Sequence, residues 1–172
     1  MIVIKNRQRK IKVNVKDLHA KTQKMLGVLN KILSNKDITY QDIKHQEINY
    51  QDFDLGILLT TNKSIRKFNK QFRGKDKPTD ILSFPYHDYL KPGQKIIIKS
   101  PEDKNLGDLI ISLEFTQKDA KITWNRKFDE HLIALLAHGI AHLLGYDHIT
   151  DQDFAKMLKV ESLLLKSVGT KY

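Results

Sequence analysis

The 172 residues include no cysteine. That absence excludes disulfides, thiolate zinc sites and cysteine nucleophiles together, so no disulfide partner is expected. Long apolar runs are missing too. No stretch approaches the roughly 18 apolar residues that a membrane-spanning helix requires. The opening MIVIKNRQRK alternates apolar and charged residues, unlike a signal peptide or an anchor. A soluble, cytoplasmic protein without membrane association is the expectation. Acidic residues are also in short supply: 20 Asp and Glu face 30 Lys and Arg, a net charge of +10. A basic balance of this size favours a polyanionic partner, most commonly nucleic acid. A chain rich in Lys, Ile and Asn throughout would carry part of that charge by composition alone. The charge is concentrated in two runs. One holds Lys5, Arg7, Arg9, Lys10, Lys12 and Lys16 with no acid. The other holds Lys63, Arg66, Lys67, Lys70, Arg73, Lys75 and Lys77 against Asp76 alone.

The apolar pattern predicts strands early and helices late. Residues 2–15 alternate and read as one or two strands. Residues 17–33 read as a helix with Asp17 as cap and Leu18, Met25, Leu26, Leu29, Ile32 and Leu33 as a core stripe. Residues 35–52 are polar, a loop with at most a short strand. Residues 53–61 form a buried strand, and Asn62 caps a helix over 63–72. Ile65, Phe68 and Phe72 of that helix turn inward. Gly74 and Pro78 break it, and a strand over 81–84 ends at Pro85. Residues 87–105 are loop-like, with a turn at Pro92-Gly93 and a possible short strand at 96–98. A buried strand follows at 106–113. Helices are predicted over 115–123, 128–144 and 151–167, the last capped by Asp151 with Phe154, Met157, Leu158, Leu164 and Leu165 buried. There is no repeat, low-complexity segment or interdomain linker. The expectation is one domain over residues 1–172, of α/β (α+β) class: a single small mixed sheet covered by helices, with a metal-binding helix near the C-terminus.

The most informative string is AHGIAHLLGYDH. His138 and His142 are four apart and project from one helix face. Gly145 suits a left-handed helix cap, after which the chain can bring His148 back to the first two. Three neutral imidazoles make an open tetrahedral site for a divalent metal, with zinc the first expectation, and leave a fourth position for water. The spacing H-x3-H-x2-G-x2-H is that of the metzincin metal-binding helix. Gly139, however, stands where those proteases carry the glutamate that acts as general base. Glycine inside a helix costs about 1 kcal/mol relative to alanine, so something is expected to pack close to the backbone there. Asp147 is a weak fourth ligand, an acceptor that orients a histidine ring, or a turn residue, with the latter two preferred. His131, seven residues before His138, could extend the site, although a satisfied or exposed histidine is the plainer reading. His19, His45 and His87 have no ligand-like neighbours.

The stretch HGIAHLLGYDH resembles the signature of the YbeY family, bacterial metal-dependent endoribonucleases of ribosomal RNA maturation. Every fixed position of that signature is met, and Ala141 stands where a larger aliphatic residue is common. FRGKDKPTDILSFP, from Phe72 to Pro85, resembles a second family segment, and LGDLIIS, from Leu106 to Ser112, a third. The resemblance implies one zinc ion (Zn2+) per chain on His138, His142 and His148. It implies that Arg73 is a catalytic residue in the cleft and that Lys75 binds the substrate backbone. It also implies action in 16S rRNA 3′ end maturation and ribosome quality control, with ribosomal RNA, the small ribosomal subunit and the GTPase Era as partners.

Zinc lowers the pKa of bound water to about 7, which supplies a nucleophile at neutral pH. A bidentate arginine can neutralise charge on the nonbridging phosphate oxygens, and Arg73 is the candidate. Asp80 and Asp108 suit structural roles better than catalysis. Whether metal hydroxide or the RNA 2′-hydroxyl attacks stays open. Two other readings compete: a non-catalytic rRNA-binding assembly factor with a structural metal, and a metal-dependent hydrolase such as a peptidase. The basic charge and Gly139 count against the peptidase.

Overall fold

Runs rich in Ile and Leu pair into one mixed sheet. Its strands are β1 (Ile2–Asn6), β2 (Asp54–Thr60), β3 (Ile81–Pro85) and β4 (Asn105–Ser112), in spatial order β1-β2-β4-β3. The structure, a computed structural model, describes residues 1–33 and 48–170. β1, β2 and β4 run parallel, and β3 is antiparallel to β4, with Ile81 opposite Ile111 and Leu82 opposite Ile110. The central strands read as near-continuous apolar runs because both of their faces are covered.

Alternation along the strands divides the core in two. Leu55, Ile57, Leu59, Leu109, Ile111 and Ile81 face the larger cluster. It is closed by α1 (Val15–Ile32), α4 (Phe128–Leu143) and α5 (Asp151–Ser167). Leu82 and Ile110, with Leu58 and Phe84 beside them, face the other way, where α2 (Asn62–Arg73) lays Ile65 and Phe68 on the sheet. The short α3 (Leu113–Ile122) follows β4 without a loop. Helix α4 is buried on almost every side, from Leu132 to Leu143, and packs on β3, β4 and α5.

The fold class is as expected, and the departures are local. Residues 11–15 form no strand. The side chain of Gln8 instead holds this segment, donating to the Ile11 carbonyl at 2.8 Å and accepting from the Ile11 N–H at 2.9 Å. Helix α1 is capped by Asn14, whose side chain accepts from the Asp17 N–H, so Asp17 is not the cap. Thr61 caps α2 in place of Asn62, and Thr150 caps α5 in place of Asp151. In both cases a hydroxyl one residue earlier satisfies a free N–H of the first turn. Strand β4 ends at Ser112, which itself caps α3, so Leu113 is helical. Phe72 and Phe154 are exposed rather than inward. Phe72 lies at the end of α2, where its ring packs roughly perpendicular to that of Phe84, with centroids 5.1 Å apart. No strand forms at 96–98, although Ile96 is buried. Of the predicted loop at 35–52, residues 35–47 lie outside the described residues, as does His45. Tyr50–Asp52 forms a single 3-10 turn. Among the described residues, no helix is long and apolar enough to cross a membrane.

Candidate metal centre

Helix α4 carries its ligand face on a backbone pressed against the sheet. A Cβ on Gly139 would lie 2.7 Å from both Ile81 Cδ1 and Leu109 Cδ2. The close neighbour expected at this glycine is therefore the sheet. The helix ends in a Schellman cap: the Gly145 N–H reaches the His142 carbonyl at 3.0 Å and the Tyr146 N–H the Ala141 carbonyl at 3.1 Å. Gly145 has φ of 80°, and a Cβ there would lie 2.2 Å from the Leu90 carbonyl oxygen. Left-handed backbone and close approach both demand glycine at this position. The turn returns the chain to α4, and Asp147 Oδ1 accepts the His148 N–H at 2.8 Å. Asp147 thus serves the turn.

The three imidazoles meet. Ring centroids stand 4.5 Å apart for His138 and His142, 5.4 Å for His138 and His148, and 5.3 Å for His142 and His148. One nitrogen of each lies within 4.8 Å of the others, a grouping that could hold a metal ion. For His138 and His142 the hydrogen bonds fix which nitrogens those are. His138 Nδ1 donates to Glu161 Oε1 at 2.8 Å, and His142 Nδ1 donates to the Tyr146 carbonyl at 2.9 Å. A carboxylate and a carbonyl only accept, so each neutral ring carries its proton on Nδ1 and its lone pair on Nε2. The two Nε2 atoms face each other at 3.1 Å. Two lone pairs at that distance repel, and a cation between them removes the repulsion. Two nitrogens bound to one tetrahedral zinc stand about 3.3 Å apart. The donor set therefore fits a divalent metal of this type. Burial first, and then the neighbouring His138 ring, push the His142 pKa down to about 4, which keeps that ring neutral and ready to bind.

The other histidines stay outside the group. His131 is buried, and its Nε2 bonds Asp119 Oδ2 at 3.1 Å. Burial lowers its pKa, although Asp119 opposes the shift. His87 is buried, with Nε2 donating to the Asp103 carbonyl at 2.9 Å, and His19 is exposed. Arg73 ends α2 on the far face of the sheet, just before the left-handed cap at Gly74. Lys75 follows in the loop, and both side chains are exposed. Among the described residues, no hydrogen bond or ion pair joins either side chain to the histidines. Asp80 accepts from the Thr79 hydroxyl and the Ile81 N–H, which is a structural role. Sequence reasoning missed Glu161. The available signal was an acid inside the apolar stripe of α5, between Val160 and Leu164.

The family described as Endoribonuclease YbeY matches residues 3–169 of this chain. The chain belongs to the YbeY family of endoribonucleases. A Pelagibacter ubique protein named Endoribonuclease YbeY is 43% identical over 118 residues, covering 69% of this chain and 71% of that protein. A human protein of the same name is 36% identical over 119 residues, covering 69% of this chain and 70% of that protein. The solution structure of a Thermotoga maritima protein superimposes with a TM-score of 0.52 at 25% identity, covering 96% of this chain and 90% of that one. The three-histidine group of this YbeY-family chain falls inside the matched region.

Two outcomes follow from the geometry. Gly145→Ala forces a Cβ into the left-handed region, at roughly 1–2 kcal/mol, and into the Leu90 carbonyl. Urea unfolding should show at least that loss, together with weaker metal binding; wild-type stability would contradict the cap geometry. The His142 ring protonates near its ordinary 6.5 in the unfolded chain but only near 4 in the fold. Its contribution is complete above about pH 6.5 and is lost as pH falls towards 4, where the unfolded state binds the extra proton. Thermal melts of the chelator-treated protein should fall across that window, and a flat profile would contradict the burial of this ring.

Proposed function

We propose that this chain is a zinc-dependent endoribonuclease that cleaves single-stranded ribosomal RNA in 16S rRNA 3′ end maturation and ribosome quality control. The observation that carries the metal reading is the pair of facing Nε2 atoms on His138 and His142, with His148 beside them. The family match supports the ribonuclease reading. A divalent metal bound there supplies a hydroxide near neutral pH, because bound water falls from a pKa of 15.7 to about 7. The three rings would hold that metal, and a three-histidine donor set is the kind that leaves room for water or substrate. Gly139 places no glutamate beside the site, which sets this centre apart from a peptidase.

RNA binding is assigned to the outer side of α2. That helix has no acid in its first turn, and Lys63, Arg66, Lys67, Lys70 and Arg73 are exposed along it. Of the two acids in the following loop, Asp76 is taken by Arg66 at 2.8 Å and Lys70 at 3.1 Å, and Asp80 by the Thr79 hydroxyl and the Ile81 N–H. Those two cations hold the Asp76 pKa down at about 2. Exposed Phe72 offers a ring on which a base can stack. The chain from Arg73 to Ile81 then passes from the α2 side of the sheet to the side where Ile81 touches α4. An RNA strand following this connection runs from Lys63 past Arg73 and Lys75 towards the histidines. Lys75 contacts its backbone, and the Arg73 fork neutralises charge on the phosphate under attack. The small ribosomal subunit and an Era-type GTPase are the proposed partners, and the cytoplasm the proposed location.

Metal analysis should find one zinc per chain, with cleavage of single-stranded rRNA, and both should vanish in His142→Ala. Arg73→Ala should keep zinc and fold but lose cleavage by at least 100-fold. Cleavage surviving in His142→Ala would overturn the metallo-ribonuclease reading, and zinc without mutant-sensitive cleavage would favour an rRNA-binding assembly factor. A Lys63→Gln, Lys67→Gln double variant removes two phosphate contacts. Its slope of log affinity against log salt should fall by about 1.4, at roughly 0.7 per contact on single strands. An unchanged slope would move the RNA off α2.

A further inference from the structure

We propose that Glu161 is the positioning residue of the metal centre: its carboxylate holds His138 with Nε2 turned to the metal and tightens the site for a divalent cation. The inference rests on the three-histidine reading given above. Glu161 sits on the buried stripe of α5 among Met157, Val160, Leu164 and Leu165, and its side chain is 5% exposed. A carboxylate in such a place is costly unless it is paired. Packing of α5 on α4 alone would be served better by a leucine. Glu161 reaches His138 Nδ1 at 2.8 Å, across 23 residues of sequence.

Three effects follow from that one bond. It fixes the tautomer, so that the Nε2 lone pair is available without rearrangement. It locks the ring, which is 29% exposed and would otherwise sample other rotamers, so less entropy is lost when metal binds. It also supplies negative charge. Three neutral imidazoles leave a bound dication uncompensated, and an anion one hydrogen bond behind the ring offsets part of that charge in surroundings that screen poorly. His142 has the first two effects from the Tyr146 carbonyl, but not the third. The two held histidines are thus not equivalent: only His138 has a carboxylate behind its ring.

The test is zinc affinity, measured by competition with a chromophoric chelator for wild type, Glu161→Gln and Glu161→Ala. Metal-free melts of all three are run alongside. Glu161→Gln is isosteric and keeps an acceptor oxygen for His138 Nδ1, so it removes the charge while keeping that bond. Substituting the outer hydrogen-bond partner of a ligating histidine typically weakens metal binding 10- to 100-fold. Glu161→Gln is expected to melt within a few degrees of wild type without metal and to bind zinc at least tenfold more weakly. Glu161→Ala should bind more weakly still. Zinc affinity within twofold of wild type in Glu161→Gln would overturn the proposal. So would a lower metal-free melting temperature with unchanged zinc affinity, which marks a purely structural carboxylate. Should Glu161→Ala not fold, Glu161→Gln decides alone. A wild-type protein that takes up no zinc would overturn the metal reading itself, an outcome distinct from failure of Glu161 alone.

Discussion

Two imidazole nitrogens 3.1 Å apart, each with its lone pair turned to the other, set the terms for the rest of the molecule. Such a contact persists only if the opposite side of each ring is held. One ring is held by a carboxylate from α5, the other by a backbone carbonyl that exists because α4 ends in a Schellman cap. The cap requires a left-handed residue packed onto Leu90. The helix itself requires a bare backbone where it meets Ile81 and Leu109. Two glycines, one acid and two histidines are therefore joined in one chain of contacts.

Much of this was legible in the chain. The helical spacing of His138 and His142 depends only on 3.6-residue periodicity, and Gly145 announced the turn that returns His148. Gly139 signalled a close neighbour, although spacing could not say that the neighbour was the sheet. The fold class followed from strands early and helices late. What remained hidden is long-range. Glu161 lies 23 residues from its partner, and a lone acid in an apolar stripe does not name the ring it will meet. Caps were misplaced by a residue or more where Asn14, Thr61 and Thr150 offered a side-chain oxygen ahead of the acid or amide that periodicity favoured. Phe72 and Phe154 fit the apolar stripes of their helices yet lie exposed, because a stripe can be longer than the surface available to cover it.

The division of the sheet into two faces separates two kinds of chemistry. On the larger face, buried apolar packing gives the rigidity that imidazole geometry requires. On the smaller face, α2 is attached through Ile65, Phe68 and the buried Asn69, which leaves its outer side free to be densely basic. Cations crowded on a well-covered helix would have to find carboxylates, and here one aspartate answers two of them.

The parallel pairing of β1 with β2 and of β2 with β4 has a temporal meaning. Residues 2–6 must wait for 54–60, and those for 105–112, before the sheet exists. The helix bearing His138 and His142 docks on that sheet, and the acid that orients His138 comes later again. Contacts so distant along the chain close slowly. The metal centre is whole only when these distant contacts are made, and an ion on the bare HGIAH segment would be held by loose rings without a carboxylate behind them. Tight metal binding therefore also reports that α4 and α5 have docked.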